Sequence, residues 1–184
     1  MTYDNGESIK GRQNTCMSLL NFQEPILLVK QPLGSGKSFQ ARKFDYSRTL
    51  WLTSTRALAQ ETCRLTGFTN YQHVPHCTPL CYIEKLVVLI PSLYRLHYDF
   101  IPYECIIMDE SESIFQDFFS GLCKGPHFEL MVAVFTKLMK TARKVVLMDG
   151  FLKNSSLSIC ANFCCELDDV RLIIGTYRIN RGTL

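Results

Sequence analysis

An α/β domain with a mostly parallel sheet is the fold class this sequence predicts, and three observations carry the prediction. Short apolar runs recur along the chain, segments of helical spacing lie between them, and the composition suits a packed core, with 47% hydrophobic and 20% charged residues over 184 positions. Near-continuous apolar runs fit strands covered on both faces, and their alternation with helices fits a doubly wound sheet.

The runs, in order, are Ile26 to Val29, Leu50 to Leu52, Leu86 to Ile90, Cys105 to Met108, Lys144 to Met148 and Arg171 to Ile174. Each is bounded by turn or polar residues and is short enough for a strand. Arg56 to Leu65 reads as a helix, and so does Phe128 to Met139, where Leu130, Val134, Phe135 and Leu138 form one apolar stripe. The polar stretch 1–21 is expected to be an N-terminal tail, 22–174 the folded lobe, and 175–184 the start of a linker, because the strand pattern is lost there.

Twenty Lys+Arg against seventeen Asp+Glu give a formal charge of +3, too small for a protein that holds nucleic acid by charge alone. Any such contact is expected to be local. The first residues lack the basic and apolar regions of a secretory signal, and no apolar run approaches membrane-spanning length, so an intracellular, soluble protein without a membrane partner is expected. The nine cysteines, an odd number, read as free thiols, with Cys105 and the Cys160, Cys164, Cys165 group as small core residues.

After the first run comes Gln31-Pro32-Leu33-Gly34-Ser35-Gly36-Lys37-Ser38, a P-loop in every position but the first, where Gln31 replaces Gly. Glycines let backbone N–H groups wrap an anion, Lys37 suits the β and γ phosphates, and the Ser38 hydroxyl suits Mg²⁺. Pro32, Gly34, Ser35, Gly36, Lys37 and Ser38 are therefore the expected ATP contacts. A chance glycine-rich turn is the alternative, and the strand before the loop and the helix after it argue against that.

Cys105 to Met108 ends in Asp109-Glu110-Ser111-Glu112, which puts two carboxylates at the carboxyl end of a buried strand, where ligands of parallel sheets gather. Asp109 is the expected Mg²⁺ partner beside Ser38, and Glu110 the expected general base for an attacking water. Glu112 is either part of the box or a solvated first-turn helix residue. Further on, Thr53, Ser54 and Arg56 follow the second strand, and Ser92 and Arg95 lie in the segment 90–96. Such hydroxyls and guanidinium groups contact nucleic-acid phosphates without reading sequence, whereas a well-capped surface helix is the plainer reading. Asp149 ends the strand Lys144 to Met148 and is the expected coupling residue.

The Pro-Leu-Gly-Ser-Gly-Lys-Ser loop, Ser-Leu-Tyr-Arg-Leu at 92–96, Met-Asp-Glu-Ser-Glu-Ser at 108–113 and Leu-Met-Asp-Gly-Phe-Leu at 147–152, in that order, resemble the herpesvirus-type replication origin-binding helicases of superfamily 2. The resemblance covers about residues 25 to 155. Asp-Glu-Ser-Glu departs from the Asp-Glu-Ala-His or Asp-Glu-Ala-Asp of related helicases, and Asp149 stands where most have Ser-Ala-Thr. The resemblance implies a RecA-like lobe that binds ATP and Mg²⁺, acts on DNA during replication, in the nucleus or wherever DNA is copied, and works with a second lobe and other replication proteins. It implies an ATP-dependent DNA helicase whose isolated lobe turns over weakly, because an arginine finger is worth about 10³ or more in rate.

Two other functions fit the phosphate loop: a small P-loop kinase, which needs an arginine-bearing lid that the sequence does not display, and a non-catalytic nucleotide-binding module. His73, His76, Cys77 and Cys81 are zinc-ligand types within a short span, but their spacing is tight and two prolines interrupt it, so a loop is the better reading.

Overall fold

Side chains alternate between two cores along every central strand. Ile26, Leu28, Leu50, Leu52, Ile106, Met108, Val145 and Leu147 point into one, and Leu27, Val29, Trp51, Cys105, Ile107, Val146 and Met148 into the other. That period of two, apolar on both sides, is what an interior parallel sheet requires. Each fully buried Leu, Ile or Val contributes roughly 1.5–3 kcal/mol relative to exposure.

The computed structural model describes residues 18–32, 34–97, 99–119, 125–163 and 169–175. The expected tail and linker, and Cys164 and Cys165, lie wholly or largely outside them. The elements are β1 (Ile26–Lys30), α1 (Lys37–Ala41), β2 (Thr49–Thr53), α2 (Arg56–Thr66), β3 (Thr69–Asn70), β4 (Lys85–Leu89), β5 (Cys105–Asp109), α3 (Ser111–Phe119), α4 (Phe128–Thr141), β6 (Lys144–Asp149), α5 (Asn154–Phe163) and β7 (Val170–Ile174). A 3-10 helix, Ile90–Leu96, follows β4 directly.

Seven strands pair in the order β3-β4-β2-β5-β6-β1-β7, all parallel. The six expected strands are present. The seventh, β3, is two residues long and escapes any periodicity argument. Residues of α3, α4 and the 3-10 helix line one core, whereas Ala41 of α1 and Ala59 of α2 line the other, so helices cover both faces of the sheet.

Local chemistry sets the element ends. The Thr55 hydroxyl accepts the Leu58 amide at 3.2 Å and caps α2, which stops at Gly67 with its N–H on the Cys63 carbonyl. Lys144, almost wholly buried, donates its ammonium to the Phe22 and Glu24 carbonyls and ties the entry to β1 against the start of β6; burial lowers its pKa. No helix among the described residues is long and apolar enough to cross a membrane.

Candidate functional site

The strand order brings three turns to one rim. β1, β6 and β5 are consecutive neighbours, and register pairs Lys30 with Asp149 and Met148 with Asp109, so the segments leaving these strands emerge side by side at their carboxyl ends. A cleft of about 500 Å³ opens there. The loop Gly34–Ser38 forms one wall, Asp109, Glu110 and Asp149 another, and Phe39, Leu58 and Phe151 supply apolar surface.

The phosphate loop is shaped by glycine. Gly34 and Gly36 have φ of 75° and 84°, a region that other residues enter at a cost of about 1 kcal/mol or more. The Lys37 ammonium donates to the loop's own carbonyls, to Gln31 at 2.7 Å and Pro32 at 3.0 Å. Lys37 is only 8% exposed, and burial lowers its pKa against the opposing pull of Asp109, Asp149 and Glu110. Gln31, the departure from the usual motif, steadies the loop, because its side-chain carbonyl accepts the Ser35 hydroxyl at 3.3 Å. That side chain also packs against Gly175, where an added Cβ would lie 2.5 Å from Gln31 Cγ. The Gly175 N–H donates to the Lys30 carbonyl at 2.9 Å.

The Ser38 hydroxyl donates to Asp109 Oδ2 at 2.6 Å, 71 residues apart in sequence. Burial raises the Asp109 pKa, while Ser38 and Lys37 pull it down and Asp149 adds to the rise. A hydroxyl and a carboxylate oxygen in contact are the hard donors that Mg²⁺ takes, so the pair fits a nucleotide-borne magnesium ion. Glu110 follows at φ 60°, a left-handed conformation carried by a side chain that is not glycine, at the corner between β5 and α3.

Glu112 is 7% exposed, which removes the solvated-residue alternative. Its Oε1 accepts the Lys153 amide at 2.7 Å and the hydroxyl of the fully buried Ser156, and its own amide donates to Asp149 Oδ2 at 2.9 Å. Asp149 Oδ1 accepts the Phe151 amide at 2.7 Å. Each carboxylate thus holds the backbone of the other's segment, and the acidic turn and the turn after β6 are clasped together. Sequence reasoning singled out Asp149, which the structure places in this clasp, but not Lys153 or Ser156; the only local signal was a Ser at the start of a helix.

The expected phosphate contacts separate into outward and inward groups. Arg56 is exposed at the start of α2, and Ser54 and Ser92 are half-buried. Thr53 is 1% exposed, with its hydroxyl directed to the Thr55 carbonyl at 3.4 Å. Arg95 departs from the expectation of a nucleic-acid contact. Its guanidinium is buried and donates to the carbonyls of Tyr71, Val74 and Pro75 at 2.8–3.1 Å, so it holds the loop that carries His73 and His76. Among the described residues, no three of His, Cys, Asp or Glu gather as a metal-holding group.

The fold is that of a RecA-like α/β lobe, a parallel sheet with helices on both faces. The chain is similar to a DEAD box protein of Methanococcus jannaschii (TM-score 0.55, 16% identity, 82% of this chain and 45% of that one). It is equally similar in fold to the RNA helicase Prp28 of Chaetomium thermophilum (TM-score 0.56, 17% identity, 84% and 42%). The particular family is that of the origin of replication binding proteins, whose model matches residues 5–182, and the chain belongs to it. A putative helicase/primase complex protein of African swine fever virus (strain Badajoz 1971 Vero-adapted) is 31% identical over 151 residues, 76% of this chain and 14% of the viral protein. The replication origin-binding protein of Psittacid herpesvirus 1 is 25% identical over 179 residues, 86% of this chain and 19% of that protein. The chain therefore spans less than one fifth of the length of these relatives.

Proposed function

We propose that this chain is the ATP-binding lobe of a replication helicase, in which nucleotide binding and hydrolysis are coupled to remodelling of DNA. The observation that carries this reading is the 2.6 Å contact of Ser38 with Asp109, which joins the phosphate loop to the acidic strand end on the wall of one cleft. Lys37 exchanges its two carbonyl acceptors for phosphate oxygens, which suit an ammonium better than neutral acceptors do. Ser38 and Asp109 would hold a magnesium ion brought by the nucleotide, which would supply positive charge to the phosphates. Glu110 orients the attacking water and takes its proton. The clasp between Asp149 and Glu112 carries changes at the phosphate end to the turn after β6, and Ser54, Arg56 and Ser92 face the DNA backbone along the rim, with buried Thr53 holding the turn beneath them.

Family membership favours this reading over the small kinase. A second lobe and replication proteins are the partners it implies, with action wherever DNA is copied. The test is Mg-ATP binding by calorimetry in the Lys37→Ala variant. Binding should be lost while the circular dichroism of the fold persists, with a stability loss of about 1–2 kcal/mol because this lysine is buried and bonded, not free on the loop surface. Unchanged affinity in a folded variant would remove the site assignment.

A further inference from the structure

The 3-10 helix Ile90–Leu96 begins where β4 ends, at the carboxyl rim of the sheet. Two residues separate the end of α4 from the start of β6, so α4 runs back against that strand. Its 14 residues, about 21 Å at 1.5 Å each, return its first turn to the same rim. There Tyr94 and His127 stack face to face, with ring centroids 4.2 Å apart and planes 11° from parallel. The two rings border a shallow cleft of about 90 Å³ whose other walls include Pro91, Phe128 and Met131.

Core packing does not account for this pair. The 3-10 helix is already anchored on α4 through buried Leu93 and Leu96 beside Met131, Val134 and Phe135, all in one core. Tyr94 is half-buried, His127 is exposed, and neither ring belongs to that core. Phe128, 37% exposed, continues the apolar ledge. A planar ring on an exposed residue, supported from behind by a second ring, is the arrangement on which a nucleobase stacks, and it works for any base because every base has a π-face.

β4 neighbours β2 in the sheet, so this ledge lies one strand from the Thr53–Arg56 turn along the rim. We propose that Tyr94 and His127 form a stacking platform for one unpaired base of a single DNA strand whose backbone follows that rim. This rests on the DNA-remodelling reading above, and adds to it a contact with a base, where the hydroxyl and arginine candidates reach only phosphates. The platform grips without reading sequence, since stacking alone distinguishes bases weakly.

The test is fluorescence anisotropy of the full chain with a short labelled oligo-dT and with an otherwise identical strand of abasic sites. His127→Ala should weaken oligo-dT binding about tenfold, equivalent to about 1.4 kcal/mol and within the range of a single base–aromatic stack. It should leave abasic-strand binding unchanged, and His127→Phe should restore the loss. His127 is exposed, so these variants are expected to fold, and an unchanged urea midpoint checks it. Equal weakening on both strands would assign the pair to backbone binding or local folding and overturn the proposal. No weakening on either strand would overturn it too, and would leave the ledge as a protein-docking surface. Failure of the wild-type chain to bind any single strand, with or without nucleotide, would overturn both the platform and the reading beneath it.

Discussion

Replacing Glu112 tests the clasp directly. Its carboxylate accepts two hydrogen bonds on one oxygen, from the Lys153 amide and the Ser156 hydroxyl, in a site where the residue is 7% exposed. Hydrogen bonds to a charged group contribute about 1.5–3 kcal/mol each, and losing the acceptor leaves two donors without a partner. Two such bonds to one atom are not additive, so Glu112→Ala should cost about 3 kcal/mol. For a chain of this size that corresponds to a fall in Tm of about 6–12 °C. Glu112→Gln keeps a carbonyl oxygen in the same place and loses only the charge, and should cost about 1 kcal/mol. Urea unfolding of the three proteins at one pH measures both differences. If Glu112→Ala came within about 0.5 kcal/mol of the wild type, as surface substitutions do, the carboxylate would be solvent-facing and the clasp would contribute nothing.

Three further perturbations probe the same rim. Burial holds the Asp109 carboxyl above its usual range, so its stabilising contribution is complete below the unfolded carboxylate pKa of about 3.9 and is lost as pH rises through the folded value. Asp109→Asn should therefore raise the urea midpoint at neutral pH, with the advantage closing in acid; an advantage that grew in acid would contradict the assignment. Glu110→Gly relieves the left-handed backbone at φ 60° and should stabilise the fold by about 1 kcal/mol while abolishing any DNA-stimulated ATP hydrolysis, read by phosphate release. Arg95→Lys removes a fork that reaches three carbonyls and should destabilise the chain by about 2–3 kcal/mol, with single-strand affinity unchanged under conditions where the variant is folded.

The parts of the fold that could be read from sequence are those whose signal is local. β1, β2, β4, β5, β6 and β7 were visible because short runs of consecutive apolar residues have few other uses, and α2 and α4 because their stripes repeat. The glycine-rich loop and the Asp109-Glu110 pair stood out because the motifs they match restrict residue type and order, and the structure brings Ser38 and Asp109 into contact. β3 was hidden by its length. Glu112 and Arg95 were hidden for a different reason: a charged residue in a helical turn looks alike in sequence whether it faces water or a buried partner. Glu112 is fixed by Ser156, 44 residues later, and Arg95 by carbonyls 20 to 24 residues earlier. Only the packing of α3 and α5 beneath the rim, and of the 71–75 loop beside the 3-10 helix, decides which role is taken.

The meeting of Gln31 with Gly175 makes two distant codons dependent on each other. A methyl group at 175 would displace the glutamine side chain, and with it the acceptor that steadies Ser35 inside the glycine-rich turn. A smaller residue at 31 would open room at 175 but surrender that acceptor. Substitutions at either position should therefore be tolerated best in pairs, and a mechanical pull on the strand exit at 175 would be felt in the Gly34–Ser38 loop through a single amide side chain.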